Sequence, residues 1–418
     1  MGDSRAESRS AAAVQAVSAA SIARAAAAGQ GVVRQTPIIT TRTLSERAGA
    51  TVVLKAENLQ GTGSFKLRGA MAKIAALGDR SARGVVCGSA GNHAQAVAYA
   101  ARSRGVACEV FMPEGAPIAK ADAVRALGAR LELVGSSVDE AVACARARAQ
   151  EAGMEFIHPF DDPDVVCGQG GLGLELLEQV PDLARVVVPV GGGGLISGIA
   201  VAVRSARPEV EVVGVQVESC APFVASLAAG HPVAVDSART IADGIAVKRP
   251  GELTLALIDR WVHQLVVVDE DEVAEAMVFL LERSKLVVEG AGAVGVAALL
   301  SGRLPEPVPG TTVLVLSGGN VGAGLLAEVA RRHETQAHRR LVLRVKIPDL
   351  PGRLAALLSA IGTTGANLLD VQHIREGLDL HIQETAVQLV LETRGPEHAA
   401  AVRAAIAEAG YREATEVR

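Results

Sequence analysis

Aromatic side chains are scarce: Phe, Tyr and Trp together make up 2% of the 418 residues. That leaves no stacking platform for bases or single strands. Charge of one sign is also missing. The 41 basic and 46 acidic residues are spread along the chain for a net charge of −5, so no basic footprint argues for nucleic acid. The five cysteines, Cys87, Cys108, Cys144, Cys167 and Cys220, are odd in number and form no C-x-x-C pair. Such usage fits reduced, buried thiols in a cytoplasmic protein better than a disulfide framework or a zinc site. Long apolar runs are absent too. The alanine-rich residues 10–29 are broken by Gln15, Ser18, Ser21 and Arg24, and Asp3 and Glu7 stand where a signal peptide carries positive charge. The expectation is a disordered start, then a helix, and no membrane span.

What is present is apolar residue in quantity, 49% of the chain, enough for two or three domains with sizeable cores. A short strand at 51–55 is followed by strand 84–87, helix 93–104, strand 106–112, helix 117–127, strand 130–134 and helix 138–152. Strands 185–190, 210–217 and 311–316 come later. This alternation predicts parallel sheets covered on both faces, an α/β fold. Residues 329–340 are charged and lack a continuing apolar stripe, so they read as a linker. Beyond them Leu341, Leu343, Val345 and Ile347 alternate as in a half-buried strand. With helix 352–361, strands 367–375 and 386–392, and helix 397–409, they predict a βαββαβ, ferredoxin-like unit.

The chain is organised around Thr62-Gly63-Ser64-Phe65-Lys66-Leu67-Arg68-Gly69-Ala70. Leu67, Ala70, Met71, Ile74 and Leu77 fall on one helix face, and Ser64 is the candidate N-cap, which puts Lys66 in the first turn. The positive end of a helix disfavours ammonium and favours the neutral amine that a nucleophilic lysine requires. Alone, the residue reads better as an ordinary surface lysine. Three loops accompany it. Ser89-Ala90-Gly91-Asn92-His93 joins a strand to a helix, where backbone N–H groups form an anion site. Gly191, Gly192, Gly193 and Gly194 follow an apolar strand and let the backbone close on a phosphate; the run is neither a Walker motif nor G-x-G-x-x-G. Gly168-x-Gly170-x-x-Gly173 does match the latter, but no strand leads into it, so the dinucleotide reading is set aside. Ser317-Gly318-Gly319-Asn320 lies at the carboxyl end of a strand, where ligands of open α/β sheets bind.

Taken together over residues 30–325, these four stretches resemble the threonine dehydratase branch of pyridoxal-phosphate enzymes, where Ser-x-Lys-x-Arg-Gly carries the cofactor lysine. The resemblance implies a fold-type II, tryptophan synthase β-like architecture. Residues 28–80 with 156–328 would form the large domain and 81–155 the small one. It implies pyridoxal 5'-phosphate on Lys66, with Asn92 at the cofactor's phenolic oxygen and the glycine run at its phosphate. Ser89 would meet the substrate carboxylate and Ser317 the pyridine nitrogen. The implied reaction is L-threonine to 2-oxobutyrate and ammonia, with L-serine giving pyruvate. Asp349-Leu350-Pro351-Gly352-Arg353-Leu354 and Gly365-Ala366-Asn367 look like an ACT domain over 341–418, which implies an amino-acid effector and a homodimer or homotetramer.

The chain departs from that pattern in places. Gly171 stands where relatives usually show threonine. Glu218 matches the first carboxylate of the cation site of serine racemases, yet its acidic partner is absent, and His333-Glu334 with His338 is one residue too long for H-E-x-x-H; no metal is expected. Glu289 matches a family glutamate near the ring, though a helix-capping role fits equally. The rivals are a serine or aspartate racemase, a β-replacement synthase and a non-catalytic amino-acid sensor. Racemase-like relatives read Ser-Ser-Gly-Asn-His where this chain has Ala90.

Overall fold

The computed structural model describes residues 12–236, 239–375, 380, 382–411 and, for the backbone, 414–416. The disordered start expected from the sequence lies outside them at residues 1–11. Two compact units divide the chain, residues 1–321 and 322–418.

In the first unit, strands apolar on both sides demand cover on both faces. Val52–Ala56 and Thr311–Leu316 are buried at every residue. They sit in a six-stranded sheet ordered Ile38–Thr40, Val52–Ala56, Thr311–Leu316, Leu183–Pro189, Glu211–Val217, Gln264–Val268. All neighbours run parallel except the first strand, which pairs antiparallel at the edge. A separate four-stranded parallel sheet is ordered Arg130–Leu133, Cys108–Met112, Val85–Gly88, Glu155–Phe156. The carboxyl ends of Thr311–Leu316 and Leu183–Pro189, adjacent in the large sheet, therefore put Ser317 and the glycine run side by side.

The glycine pattern at 168–173 proves to be helical. It lies within Pro163–Gln179, whose N-cap Asp162 accepts from the N–H groups of Asp164 and Val165. Its glycines serve contact between helices: a Cβ at Gly168 would stand 2.6 Å from the Arg68 carbonyl, and one at Gly198 would stand 2.4 Å from that of Val166. Helices Lys66–Leu77 and Gly194–Ala206 thus press backbone to backbone against Pro163–Gln179. Threonine in place of Gly171 would turn toward the N-terminal helix, where a Cβ already meets that of Ala26 at 3.2 Å. The position carries no side chain to the cavity described below.

A buried ion network anchors the lysine helix. Arg68 donates to both oxygens of Glu57 (Nε–Oε2 2.8 Å, Nη2–Oε1 2.7 Å) and to Glu175 Oε1 at 2.6 Å, and Lys55 Nζ donates to Glu175 Oε2. Burial opposes charge on Glu57, but the Arg68 guanidinium outweighs it and holds the carboxyl below its ordinary value.

The second unit carries strands Arg340–Pro348, Asn367–Ile374, Glu384–Glu392 and Ala414–Glu416 with helices Arg353–Gly362 and Pro396–Glu408. The antiparallel sheet is ordered Asn367–Ile374, Glu384–Glu392, Arg340–Pro348, Ala414–Glu416, the βαββαβ arrangement, over a core of Leu341, Leu343, Val345, Ile347, Leu357 and Ile406. The linker expected at 329–340 is corrected here: helix Ala323–Gln336 runs through most of it, with Val329 as its buried contact, and Arg340 already opens a strand. A helix that fully buries only Val329 offers little continuous apolar stripe for sequence reading to find.

Candidate active site

Helix Lys66–Leu77 begins at Lys66 itself. Its N-cap is Phe65, without a side-chain cap bond, so the expectation that Ser64 caps it is corrected. Ser64 is instead held in a bridge to Gly318, with its hydroxyl buried and unpartnered. Phe65 N–H donates to the Ser317 carbonyl at 3.1 Å and Gly319 N–H to the Gly63 carbonyl at 2.9 Å. The lysine turn and the serine loop are stitched together through backbone, which fixes Lys66 against Ser317.

One cavity collects Lys66, Asn92, Gly191, Gly192, Gly193, Gly194 and Ser317. Lys66 is half-buried, and its Nζ donates to the Pro159 carbonyl at 2.9 Å. Burial pushes its pKa down to about 8, against the pull of the Glu289 carboxylate. The glycine run is packed from behind: a Cβ at Gly192 would lie 2.2 Å from Phe160 ring carbons, and Gly193 has φ +87°. Helix Gly194–Ala206 starts there, with Ser197 N–H making the first helical bond to the Gly193 carbonyl. The N–H groups of residues 193–196 lack helical acceptors, which makes this the anion end of the cavity.

Elsewhere on the lining Asn92 Nδ2 donates to Glu289 Oε1 at 2.7 Å, and Asn92 Oδ1 accepts from Asn320 Nδ2 at 2.8 Å. Burial, with Asp243 nearby, raises the Glu289 pKa to about 7. Ser89 is not part of the cavity lining; its Oγ accepts from Gly91 N–H at 3.2 Å, shaping the loop that delivers Asn92. Among the described residues, no group of three or more His, Cys, Asp or Glu gathers as for a metal ion, and Glu218 is exposed.

Sequence reading missed Pro159, Phe160, Gln169 and the turn Asp243–Ile245, of which Gly244 and Ile245 line the cavity. Only Gln169 carries a signal, a polar residue between two helix-contact glycines. It is buried with its Oε1 unpartnered.

A lysine at a helix start facing a glycine-cradled anion site, on a parallel sheet, defines a pyridoxal-phosphate type of centre. The family of pyridoxal-phosphate dependent enzymes matches residues 29–319, and the chain belongs to it. It is similar to the L-threonine ammonia-lyase of Thermotoga maritima, 44% identical over 91% of this chain and 95% of that one. The L-threonine ammonia-lyase of Geobacter sulfurreducens is 46% identical over 91% and 94%. Among solved structures, maize serine racemase aligns with a TM-score of 0.72 and 33% identity, over 77% of this chain and 99% of that one. The chain is thus a pyridoxal-phosphate-dependent enzyme. The residues fit the cofactor: the amine is within reach of a neutral state, and the anion end has backbone donors with no Cβ in the way.

Proposed function

We propose that the enzyme is a threonine ammonia-lyase, converting L-threonine to 2-oxobutyrate and ammonia and L-serine to pyruvate. The carrying observation is the single cavity in which Lys66, Asn92, the glycine run and Ser317 meet. The similarity to two threonine ammonia-lyases over nine-tenths of the chain supports the substrate. When bound, pyridoxal 5'-phosphate supplies the electron sink that lets an amino acid lose its α-proton and β-hydroxyl.

The chain's own residues do the rest. Lys66 would hold the cofactor, and its free amine would take the substrate α-proton at Nζ; a pKa near 8 suits a base that must be neutral part of the time. The glycine run and the helix N–H groups hold the phosphate dianion. Asn92, braced between Glu289 and Asn320, orients the ring. Ser317 would offer the ring nitrogen a hydroxyl, not a carboxylate, and so would not hold it protonated, which suits elimination. The Ser89 loop takes the substrate carboxylate on backbone N–H groups as the four-stranded part closes. We further propose 341–418 as an ACT-type regulatory domain for an amino-acid effector, supported by its βαββαβ order.

Assay of 2-oxo acid release from L-threonine and L-serine tests the reading. Turnover of both, with threonine preferred, is expected. D-serine or D-aspartate formed at rates rivalling 2-oxo acid would make it a racemase instead.

A further inference from the structure

The cavity lies where two parts of the first unit face each other. The glycine run and Ser317 come from the six-stranded sheet; Asn92 follows strand Val85–Gly88 of the four-stranded sheet. Charges that span the two parts bear on how firmly they are held over the cavity. Among the described residues, two ion pairs do so. Lys120 Nζ, on helix Ile118–Ala126 beside the four-stranded sheet, stands 3.1 Å from Asp243 Oδ2. Lys248 Nζ stands 3.9 Å from Asp139 Oδ2 at the start of helix Val138–Ala152.

Asp243 opens the turn Asp243–Ile245, which is packed onto the catalytic parts. A Cβ at Gly244 would sit 3.3 Å from Glu289 Oε1, and the Ile245 backbone lies where a Cβ on Gly191 would be, 2.9 Å away. The turn is held on the large-sheet side, since Ile241 N–H donates to Glu270 Oε2 at 2.9 Å. On its other side Lys120 grips it. A shift of Lys120 is therefore felt by the floor of the cavity through a single three-residue turn.

We infer that Lys120 and Asp243 form a latch that closes the four-stranded part over the bound substrate and seats the turn Asp243–Ile245 against Glu289 and the glycine run. Both are positioning residues: neither lines the cavity. The pair is half open to water, with Lys120 24% and Asp243 63% exposed, so it holds weakly, as a contact made and broken in each turnover has to. Lys248 with Asp139, longer and more exposed, supports the same closure from further along the segment. The role in turnover rests on the lyase reading above; the latch itself does not.

The test is charge reversal in the cofactor-loaded full chain. K120E and D243K should each raise KM for threonine about tenfold while kcat falls less, because like charges facing each other disfavour the closed state. The double variant K120E/D243K restores the pair in reverse and should bring KM back to within about threefold of the parent. Hydrogen exchange at residues 242–247, whose amides of Ile245, Ala246 and Val247 are bonded within the turn, should quicken in the single variants and slow again in the double. The cofactor absorbance band confirms that each variant is folded and loaded. Unchanged KM and exchange in the single variants, or a double variant no better than the worse single, would overturn the latch. Exchange that responds as stated in a protein without threonine turnover would retire the substrate and leave the latch standing.

Discussion

Asn92 and Glu289, 197 residues apart in sequence, meet at 2.7 Å, Nδ2 to Oε1, at the edge of the cavity that holds Lys66. The carboxylate is buried and its pKa raised to about 7, while its negative charge works against the burial that lowers Lys66 to about 8. Three groups from three segments thus share one local field.

That coupling predicts a pH profile for cofactor loading. Only the neutral amine reacts, so uptake of pyridoxal phosphate by cofactor-free protein should rise with pH to a midpoint near 8, not 10.5. Glu289→Gln removes the charge that favours ammonium and should move the midpoint lower. The rate at which the visible band appears, followed across pH, checks both. A midpoint unmoved by the substitution would mean that Glu289 does not act on Lys66. The sign for stability follows the same shift: the folded amine is depressed, so cofactor-free protein should lose stability as pH falls from 10.5 to about 8 and lose little more from this group below that.

Lys66→Ala should abolish 2-oxo acid release and the visible band while circular dichroism stays native. The side chain's Nζ donates to the Pro159 carbonyl at the cavity wall, so its loss removes chemistry more than packing. Retention of a tenth of the activity would sink the assignment of the cofactor to this lysine.

Arg68 predicts a stability effect instead. Its guanidinium is buried between Glu57 and Glu175, and Arg68→Ala would leave the fully buried Glu57 without its main counter-charge. A loss of about 3–5 kcal/mol is expected, read as a lower midpoint in urea. A change below about 1 kcal/mol would show that the network relaxes without cost.

Much of this site was legible because it is built from short contiguous stretches. Lys66, Asn92, Ser317 and the glycine run each sit at a strand end or helix start, and local pattern marks such places. What stayed hidden depends on contacts between distant segments. The Pro159 carbonyl, the Phe160 ring behind Gly192 and the turn at Asp243 carry no local pattern that ties them to Lys66. Helix Pro163–Gln179 was obscured for another reason: its glycines lower helix propensity, yet backbone contacts with two neighbouring helices hold it. Ser64 misled because a serine before an apolar periodic run signals a cap, whereas here it bridges to Gly318.

The second unit's self-contained core predicts separable regulation. Because helix Ala323–Gln336 extends past the expected boundary, the chain should be ended after Arg339, not within that helix. The truncated enzyme should keep turnover and lose any response to branched-chain amino acids. A soluble, cofactor-loaded but inactive truncation would show that the part of the second unit beyond Arg339 takes part in catalysis.

Ala90 separates elimination from racemisation. Returning a proton to the face opposite Lys66 needs a donor there, because the lysine serves only its own side. The racemase reading expects Ser-Ser-Gly-Asn-His, and this chain reads Ser89-Ala90-Gly91-Asn92-His93. A methyl group has no proton to give, and the neighbouring Ser89 hydroxyl accepts from Gly91 N–H within its own loop. Elimination needs no such donor, since Lys66 removes the α-proton and the hydroxyl leaves without help from that face. L-Serine should therefore give pyruvate and no D-serine, although the fold is close to that of maize serine racemase. Ala90 does not line the cavity but lies two residues before Asn92, which does; Ala90→Ser adds a hydroxyl to that loop and should bring detectable racemisation with pyruvate release still dominant. Chiral chromatography of the serine left after partial turnover measures both. D-serine from the unsubstituted enzyme, formed as fast as pyruvate, would overturn the lyase assignment and the role argued for this position.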